Sequence, residues 1–502
     1  MTASERATLA FRIAGVYYFA LALLSGTRCI RILLSGPLPA DAGGSVAWCR
    51  AIYPLLALLI AATLFIFAGR LSWLVRRAMG EAEDLPGETM AIASVILGFY
   101  CAAAAVFATV PAICWGSWYV AAGSPAGAIF AVTLVAGAPW LVNWAGARLR
   151  SLAGLPTTAL VTLFAGLLSL SIRFMWEWFR WGARYLLHVR ALHGAGVHEG
   201  SWAFLMGRLV RSGVGLIVAG ACMFLAAGLA SRAARKVPTW SEKRVLRAPP
   251  SGWVALSAAV LLSLFYLLCH AIPYVTDPQN VGWDLGDWLG RIAWGILVTG
   301  FLAWALAFIG GPLARWSAGR LYDPAPEEAP ARDSGALVLE VGITLVVLWH
   351  LLLRMGYIWA LRLGGDRVGE IMWQPWHHWL PSVLILFLLV FRGDLARICM
   401  PSDAPEDPQA ALRRAPALYP WLVVLGARTL VKWLPNVFVY GAELATGIRL
   451  LSRPTPSAAL VQPALGIILV AFAGPLSRLL SFGPILLREL PHTADADEEA
   501  ER

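Results

Sequence analysis

The chain has 502 residues, of which 59% are apolar and only 14% are charged, and its formal net charge is +10. Soluble domains carry roughly 25% charged residues, so this composition excludes an ordinary soluble protein. Its 40 basic residues include only three lysines and form no long basic run, which argues against nucleic acid as a partner. The 24 tryptophans favour a membrane protein, because tryptophan concentrates where a bilayer meets water.

A short tag recurs along the chain: an apolar run, a glycine, and then a leucine with a small residue and an arginine. The steps between successive tag glycines are 77, 82, 83, 82 and 81 residues. Such even spacing predicts an internal repeat. The tag glycines are Gly69, Gly146, Gly228, Gly311, Gly393 and Gly474. The corresponding units of a single transmembrane domain are 1–80, 81–155, 156–247, 248–333, 334–414 and 415–490, followed by an acidic, disordered tail at 491–502.

Each unit contains two apolar segments, and a membrane-spanning helix needs about 20 apolar residues. The segments 13–27 and 415–427 are short, and the repeat is the reason for counting them as spans. The stretch between Glu88 and Arg148 has no charged residue and is long enough for both spans of unit two. The other segments are 51–69, 151–172, 212–231, 248–272, 292–314, a span that contains Glu340, 371–391 and 454–477. The sequence therefore predicts an all-α polytopic membrane protein with about 12 transmembrane helices, arranged as six parallel αα-hairpin repeats.

Because two spans return the chain to the same side, all six units share one orientation. Lysine and arginine concentrate in the loops that follow the tags and at the termini. The positive-inside rule then predicts that both termini lie in the cytoplasm. The excess of arginine over lysine, with much alanine and glycine, indicates a bacterial inner (plasma) membrane.

Ionisable residues inside spans are the first place to look for function in a membrane protein. The first helix of most units carries a basic group in its outer half, and in three units polar groups recur at helical spacing, which places them on one helix face. The functional interpretation is a cationic cavity for a small anion or an anionic lipid headgroup. The alternative is that the long side chains reach the outer headgroups and pair locally, as Arg173 and Glu177 would. The candidate residues are Arg173, Glu177, His350, Arg354, Arg428 and Lys432.

Two further roles are predicted from single residue types. Glu340 is a candidate proton-relay carboxylate, although a position near the cytoplasmic interface is the simpler interpretation. The six tag glycines are predicted to be helix-packing residues, because a glycine lets two helices approach closely.

No catalytic, metal-ligand or cofactor-binding motif is present. His188, His193 and His198 are spaced by five, which fits no single helix face, so we expect no metal site and no cofactor. Two functions remain open. The first is a non-enzymatic membrane scaffold or accessory component, and the second is a transporter or channel with a cationic cavity. The bilayer is the expected partner in both.

Overall fold

A computed structural model describes residues 2–34, 43–80, 85–114, 118–151, 157–193, 199–237, 252–276, 297–319 except 298, 299, 302 and 303, 329–363, 375–400, 410–447 and 456–481. This part of the chain is helical and contains no strand. The helices of units one to three are α1 Ala3–Leu34, α2 Gly43–Ile66, α3 Ala68–Met79, α4 Leu85–Cys114, α5 Trp118–Ala136, α6 Ala138–Arg150, α7 Thr157–His193 and α8 Glu199–Ala234.

The second half of the chain repeats this alternation of long and bent helices. A short π-helix, Leu306–Gly310, directly precedes the tag glycine of unit four. The helices of units four to six are α9 Gly252–Thr276, α10 Gly311–Gly319, α11 Ala329–Leu363, α12 Pro375–Val390, α13 Arg392–Cys399, α14 Ala410–Thr446, α15 Pro456–Ala471 and α16 Ala473–Ser481.

Seven of these helices are long and apolar enough to cross a membrane, and three bent helix pairs raise the number to ten among the described residues. The segments 13–27 and 415–427, which look short in the sequence, lie inside the 32-residue α1 and the 37-residue α14. The described residues therefore form a bundle of apolar helices that is compatible with a multi-pass membrane protein, as the composition predicts.

The first helices of the six units form a closed ring. Around the ring, each contacts the next in the order α1, α4, α7, α14, α11, α9 and back to α1. We call these six the inner helices. In their apolar segments 39–61% of the residues are buried, compared with 22% in α8, a second helix. The second helices thus lie outside the ring, where residues such as Ile217 and Phe224 expose their side chains.

The second helices pack in the grooves between neighbouring inner helices. Thus α2 contacts α4, α5 contacts α7, α8 contacts α14, α15 contacts α11 and α12 contacts α9. The units are therefore neighbours in the order one, two, three, six, five, four. Unit three lies beside unit six, not beside unit four.

Three units share the same close contact between their two helices. A methyl group added at Gly15 would lie 3.1 Å from Cδ2 of Phe65, and one added at Gly426 would lie 2.7 Å from Cγ2 of Val470. A methyl group added at Gly98 would likewise collide with Cγ2 of Val135. In each case the contacted residue lies two positions before the point where the second helix bends. These glycines, which carry no tag, bring the paired helices of units one, two and six together.

Two of the tags lie beside bends in the second helices. The second helices of units one, two and six bend by 73°, 60° and 76° at Phe67, Gly137 and Phe472. In units one and six the bend lies two residues before the tag glycine. In unit two it lies nine residues before Gly146, and α8 continues past Gly228 without a break.

The predicted packing role of the tag glycines needs correction. Among the described residues, a methyl group at Gly69, Gly146 or Gly228 would meet no atom within 4 Å, and one at Gly393 or Gly474 would make only an ordinary contact at 3.9 Å. Gly311 alone of the six is tight, with the carbonyl oxygen of Cys399 at 3.0 Å. Three of the tags have a serine three residues after the glycine, and its hydroxyl donates a hydrogen bond to the glycine carbonyl oxygen. These serines are Ser72, Ser231 and Ser477.

Candidate functional site

The inner helices contribute one large polar or aromatic side chain each to a single cluster. We call this set the central belt. It consists of Tyr17, Tyr100, Arg173, Tyr266, Trp349 and Arg428.

The two arginines of the central belt each stack on an aromatic ring from a neighbouring inner helix. The Cζ atom of Arg428 on α14 lies 3.5 Å from the ring centre of Trp349 on α11. The Cζ atom of Arg173 on α7 lies 5.1 Å from the ring centre of Tyr100 on α4. A guanidinium held by its face in this way keeps its edge N–H groups available as donors.

The remaining members connect these two pairs. Tyr17 on α1 lies within electrostatic range of Tyr100 and Tyr266. Arg428 is likewise within electrostatic range of Arg173. Tyr17 is 40% exposed. The central belt is therefore one cluster assembled from six helices.

The two cations reach each other because α7 and α14 approach closely. A methyl group at Gly166 on α7 would lie 2.7 Å from Cγ2 of Val424 on α14. One turn beyond the belt, Lys432 is within electrostatic range of both Glu177 and Arg428. This side of the ring thus collects three cations and a single carboxylate, and all four side chains are half-buried.

Two arginines that follow Glu177 at helical spacing on α7 make local contacts instead. Arg180 stacks on Trp176 at 4.8 Å and reaches the carbonyl oxygen of Ala104 at 3.5 Å. Arg184 stacks on Trp181 at 5.0 Å. The polar face of α7 is therefore divided. Arg173 and Glu177 lie close to Arg428 and Lys432, whereas Arg180 and Arg184 stack on nearby aromatic rings.

His350 lies beside the central belt, where α11 contacts α9. Its ring centre is 4.6 Å from that of His270 and 5.9 Å from that of Tyr266. Arg354 lies within electrostatic range of His350. The side chain of His350 is only 5% exposed, so it is buried against His270 and Tyr266 next to the belt.

Glu340 lies far from the central belt, in a buried ion pair. Its Oε1 atom is 3.5 Å from Nε of Arg392, and the two side chains are 8% and 6% exposed. Arg392 also donates hydrogen bonds to the carbonyl oxygens of Leu389 and Leu480. This network joins α11 to α13 and α16 near the bends.

Some predicted features fall on parts of the chain that are not described. These are the outer basic group Arg28, the side chains of His193 and His198, residues 292–296 at the start of one predicted span, residues 371–374 of another, and the tail 491–502.

Sequence reasoning missed the four aromatic members of the belt. Tyr17, Tyr100, Tyr266 and Trp349 carry no charge and stand in apolar segments, where an aromatic residue is ordinarily part of the core. No local pattern singles them out, because their partners in the cluster belong to other helices.

Comparison with known protein families, with curated proteins and with solved structures finds no match for this chain. The argument for function therefore depends on the geometry of the central belt.

Proposed function

We propose that the protein is a non-enzymatic transporter or channel that binds a small anion at the central belt. The observation that carries this proposal is the convergence of two stacked arginines and four aromatic side chains, one from each inner helix, in a single cluster. Charged groups inside a membrane are costly to bury and are typical of substrate and ion pathways.

The chemistry of the belt fits an anion. Its arginines and the tryptophan indole N–H act only as donors, and the tyrosine hydroxyls are able to donate as well. The nearby Lys432 adds a third cation against the single carboxylate of Glu177. A bound anion would balance this excess charge in surroundings where electrostatic interactions are stronger than in water.

The position of the belt favours transport over the scaffold alternative. A scaffold protein uses surfaces that face lipid or partners, and has no need of polar groups at the centre of a closed helical ring. Tyr17 of the belt is 40% exposed, so part of its side chain remains available to a permeating ion. An apolar filling of the ring would serve a scaffold equally well and at a lower desolvation cost.

The proposed membrane arrangement has twelve spans in six parallel hairpins, with both termini in the cytoplasm of a bacterial cell. Support comes from the ten spans counted among the described residues and from the shorter apolar helix Leu380–Val390. The twelfth span of this proposal is 292–314.

Anion flux into proteoliposomes tests the proposed function. We expect chloride, nitrate or phosphate flux above that of protein-free vesicles, and we expect Arg428→Gln to reduce it at least tenfold, because one belt cation is lost while the side chain remains polar. Arg173→Gln should act in the same way. The matched control is Arg235→Gln, since Arg235 is exposed beyond the end of α8.

Two results would contradict the proposal. One is a folded wild-type protein that neither conducts nor binds any of these anions, which would favour the scaffold. The other is flux that survives in the Arg173→Gln, Arg428→Gln double variant, which would move the pathway away from the central belt.

A further inference from the structure

A second polar site lies outward of the central belt, where α7, α8 and α14 meet. Lys432 on α14 interacts electrostatically with Glu177 on α7 and with Arg211 on α8. Asn436 lies one further turn along the Lys432 face of α14, because residues four apart are neighbours on a helix. Together, Arg428, Lys432 and Asn436 form a polar track that leads outward from the belt.

Arg211 is held in place by an aromatic platform. Its Cζ atom lies 5.3 Å from the ring centre of Trp178 on α7. The indole of Trp178 lies directly against Gly215, where even a methyl group would collide with it. Trp178 is 6% exposed, so the platform is fixed and Arg211 is oriented over it.

Asn436 is the most informative residue of this site. Its side chain is fully buried, and among the described residues neither the amide nitrogen nor the amide oxygen has a hydrogen-bond partner. Buried polar groups are nearly always hydrogen-bonded, and an exception calls for an explanation such as a ligand. Thr429, on the same helix, shows the ordinary arrangement, since its hydroxyl donates to the carbonyl oxygen of Leu425 at 3.0 Å.

We propose that Arg211, Lys432 and Asn436 form an outer subsite that binds a protonated oxyanion, namely inorganic phosphate or a phosphate monoester. This proposal rests on the proposed function, because it gives the anion a binding step on the path to the belt. The two cations attract the negative charge. Asn436 offers one group that donates and one that accepts, which matches a ligand that has both acceptor oxygens and an O–H group.

This donor–acceptor pairing defines the specificity. Hydrogen phosphate and singly protonated phosphate monoesters have an O–H that the Asn436 carbonyl accepts. Sulfate is fully deprotonated at neutral pH, and a phosphodiester headgroup has no phosphate O–H. The subsite should therefore prefer phosphate over sulfate, and phosphatidic acid over phosphatidylglycerol.

Calorimetric titration of the purified full-length protein in detergent tests this inference. The probes are sodium phosphate, sodium sulfate, and the short-chain forms of phosphatidic acid and phosphatidylglycerol. We expect the wild type to bind two phosphates. Asn436→Leu should lose one site and the preference for phosphate over sulfate, with at least about a tenfold loss of affinity, as expected for a hydrogen bond to a charged group. Thr429→Val, the matched control, should keep both sites.

Thermal unfolding without ligand separates a ligand-binding asparagine from a structural one. Replacing a buried amide that has no partner with leucine should leave the melting temperature unchanged or raise it. An Asn436→Leu protein that melts far below the wild type, or fails to fold, would show that the amide is structural and would overturn the proposal. Unchanged phosphate binding and selectivity in Asn436→Leu would overturn it as well.

The source of the phosphate group is decided by the same titrations. Binding of inorganic phosphate alone indicates a soluble substrate, and binding of phosphatidic acid indicates a lipid headgroup that enters from the outer leaflet. If the wild type binds two phosphates and Arg428→Gln still binds both and conducts normally, the belt proposal fails while the outer subsite stands. If Arg428→Gln loses one site and Asn436→Leu none, the reverse holds.

Discussion

The buried ion pair between Glu340 and Arg392 gives a quantitative test of how the bent helices are held. Both side chains are at least 92% buried and the charged atoms are 3.5 Å apart. Arg392→Met retains most of the apolar volume but removes the cation that neutralises Glu340. Removing one member of a buried pair costs about 3–5 kcal/mol, because the remaining charge stays in a medium of low dielectric constant. We therefore expect a loss of about 3–5 kcal/mol in the free energy of unfolding.

Unfolding in mixed micelles of dodecyl maltoside and increasing dodecyl sulfate measures this free energy. The control is Arg397→Met, whose arginine is exposed on the same helix, and which should change stability by less than about 0.5 kcal/mol. The double variant Glu340→Leu, Arg392→Met should recover most of the loss, since replacing a whole buried pair by apolar residues is often neutral. An Arg392→Met protein as stable as the wild type would refute the reasoning, because it would mean that Glu340 is not held as an anion by Arg392.

Two further predictions concern packing and topology. Gly426→Leu should lower stability by about 1–3 kcal/mol, because its side chain would collide with Val470 and with the carbonyl oxygen of Gly466 at 2.9 Å, whereas Gly228→Leu should be tolerated; equal melting temperatures for the two variants would contradict the assigned contacts. Reporter fusions after Arg77, Arg150, Lys236, Arg320, Arg397 and Arg488 should all report cytoplasm, and one periplasmic result would break the six-hairpin arrangement.

The class of fold is predictable from composition because lipid and water demand different surfaces. Apolar side chains exposed on the outward faces of helices such as α8 are typical of helices surrounded by lipid. The tag does not reveal its own structural role. Its glycine is expected to pack against a neighbouring helix, but Gly69 and Gly474 lie two residues after a bend instead. In unit two the bend occurs at Gly137, with Pro139 in the first turn of the following helix, a position that tolerates proline.

Only part of the candidate site can be predicted from the sequence. Helical spacing identifies Arg428 and Lys432 as residues of one face without knowledge of the fold. The partners of that face depend on the order of the units around the ring, which no local pattern encodes. Trp349 contacts Arg428 because unit five lies next to unit six. Arg173 lies near Arg428 because unit three contacts unit six on its other side.

The order of the units around the ring has a consequence for synthesis. The inner helices of units three and four lie on opposite sides of the ring. The first three hairpins to leave the ribosome can form only an open arc. Unit four then extends the other end of that arc, and unit six enters last, between units three and five. Arg428 therefore arrives with the closing segment, and a chain interrupted before α14 would insert into the membrane as an arc that lacks half of the positive charge of its belt.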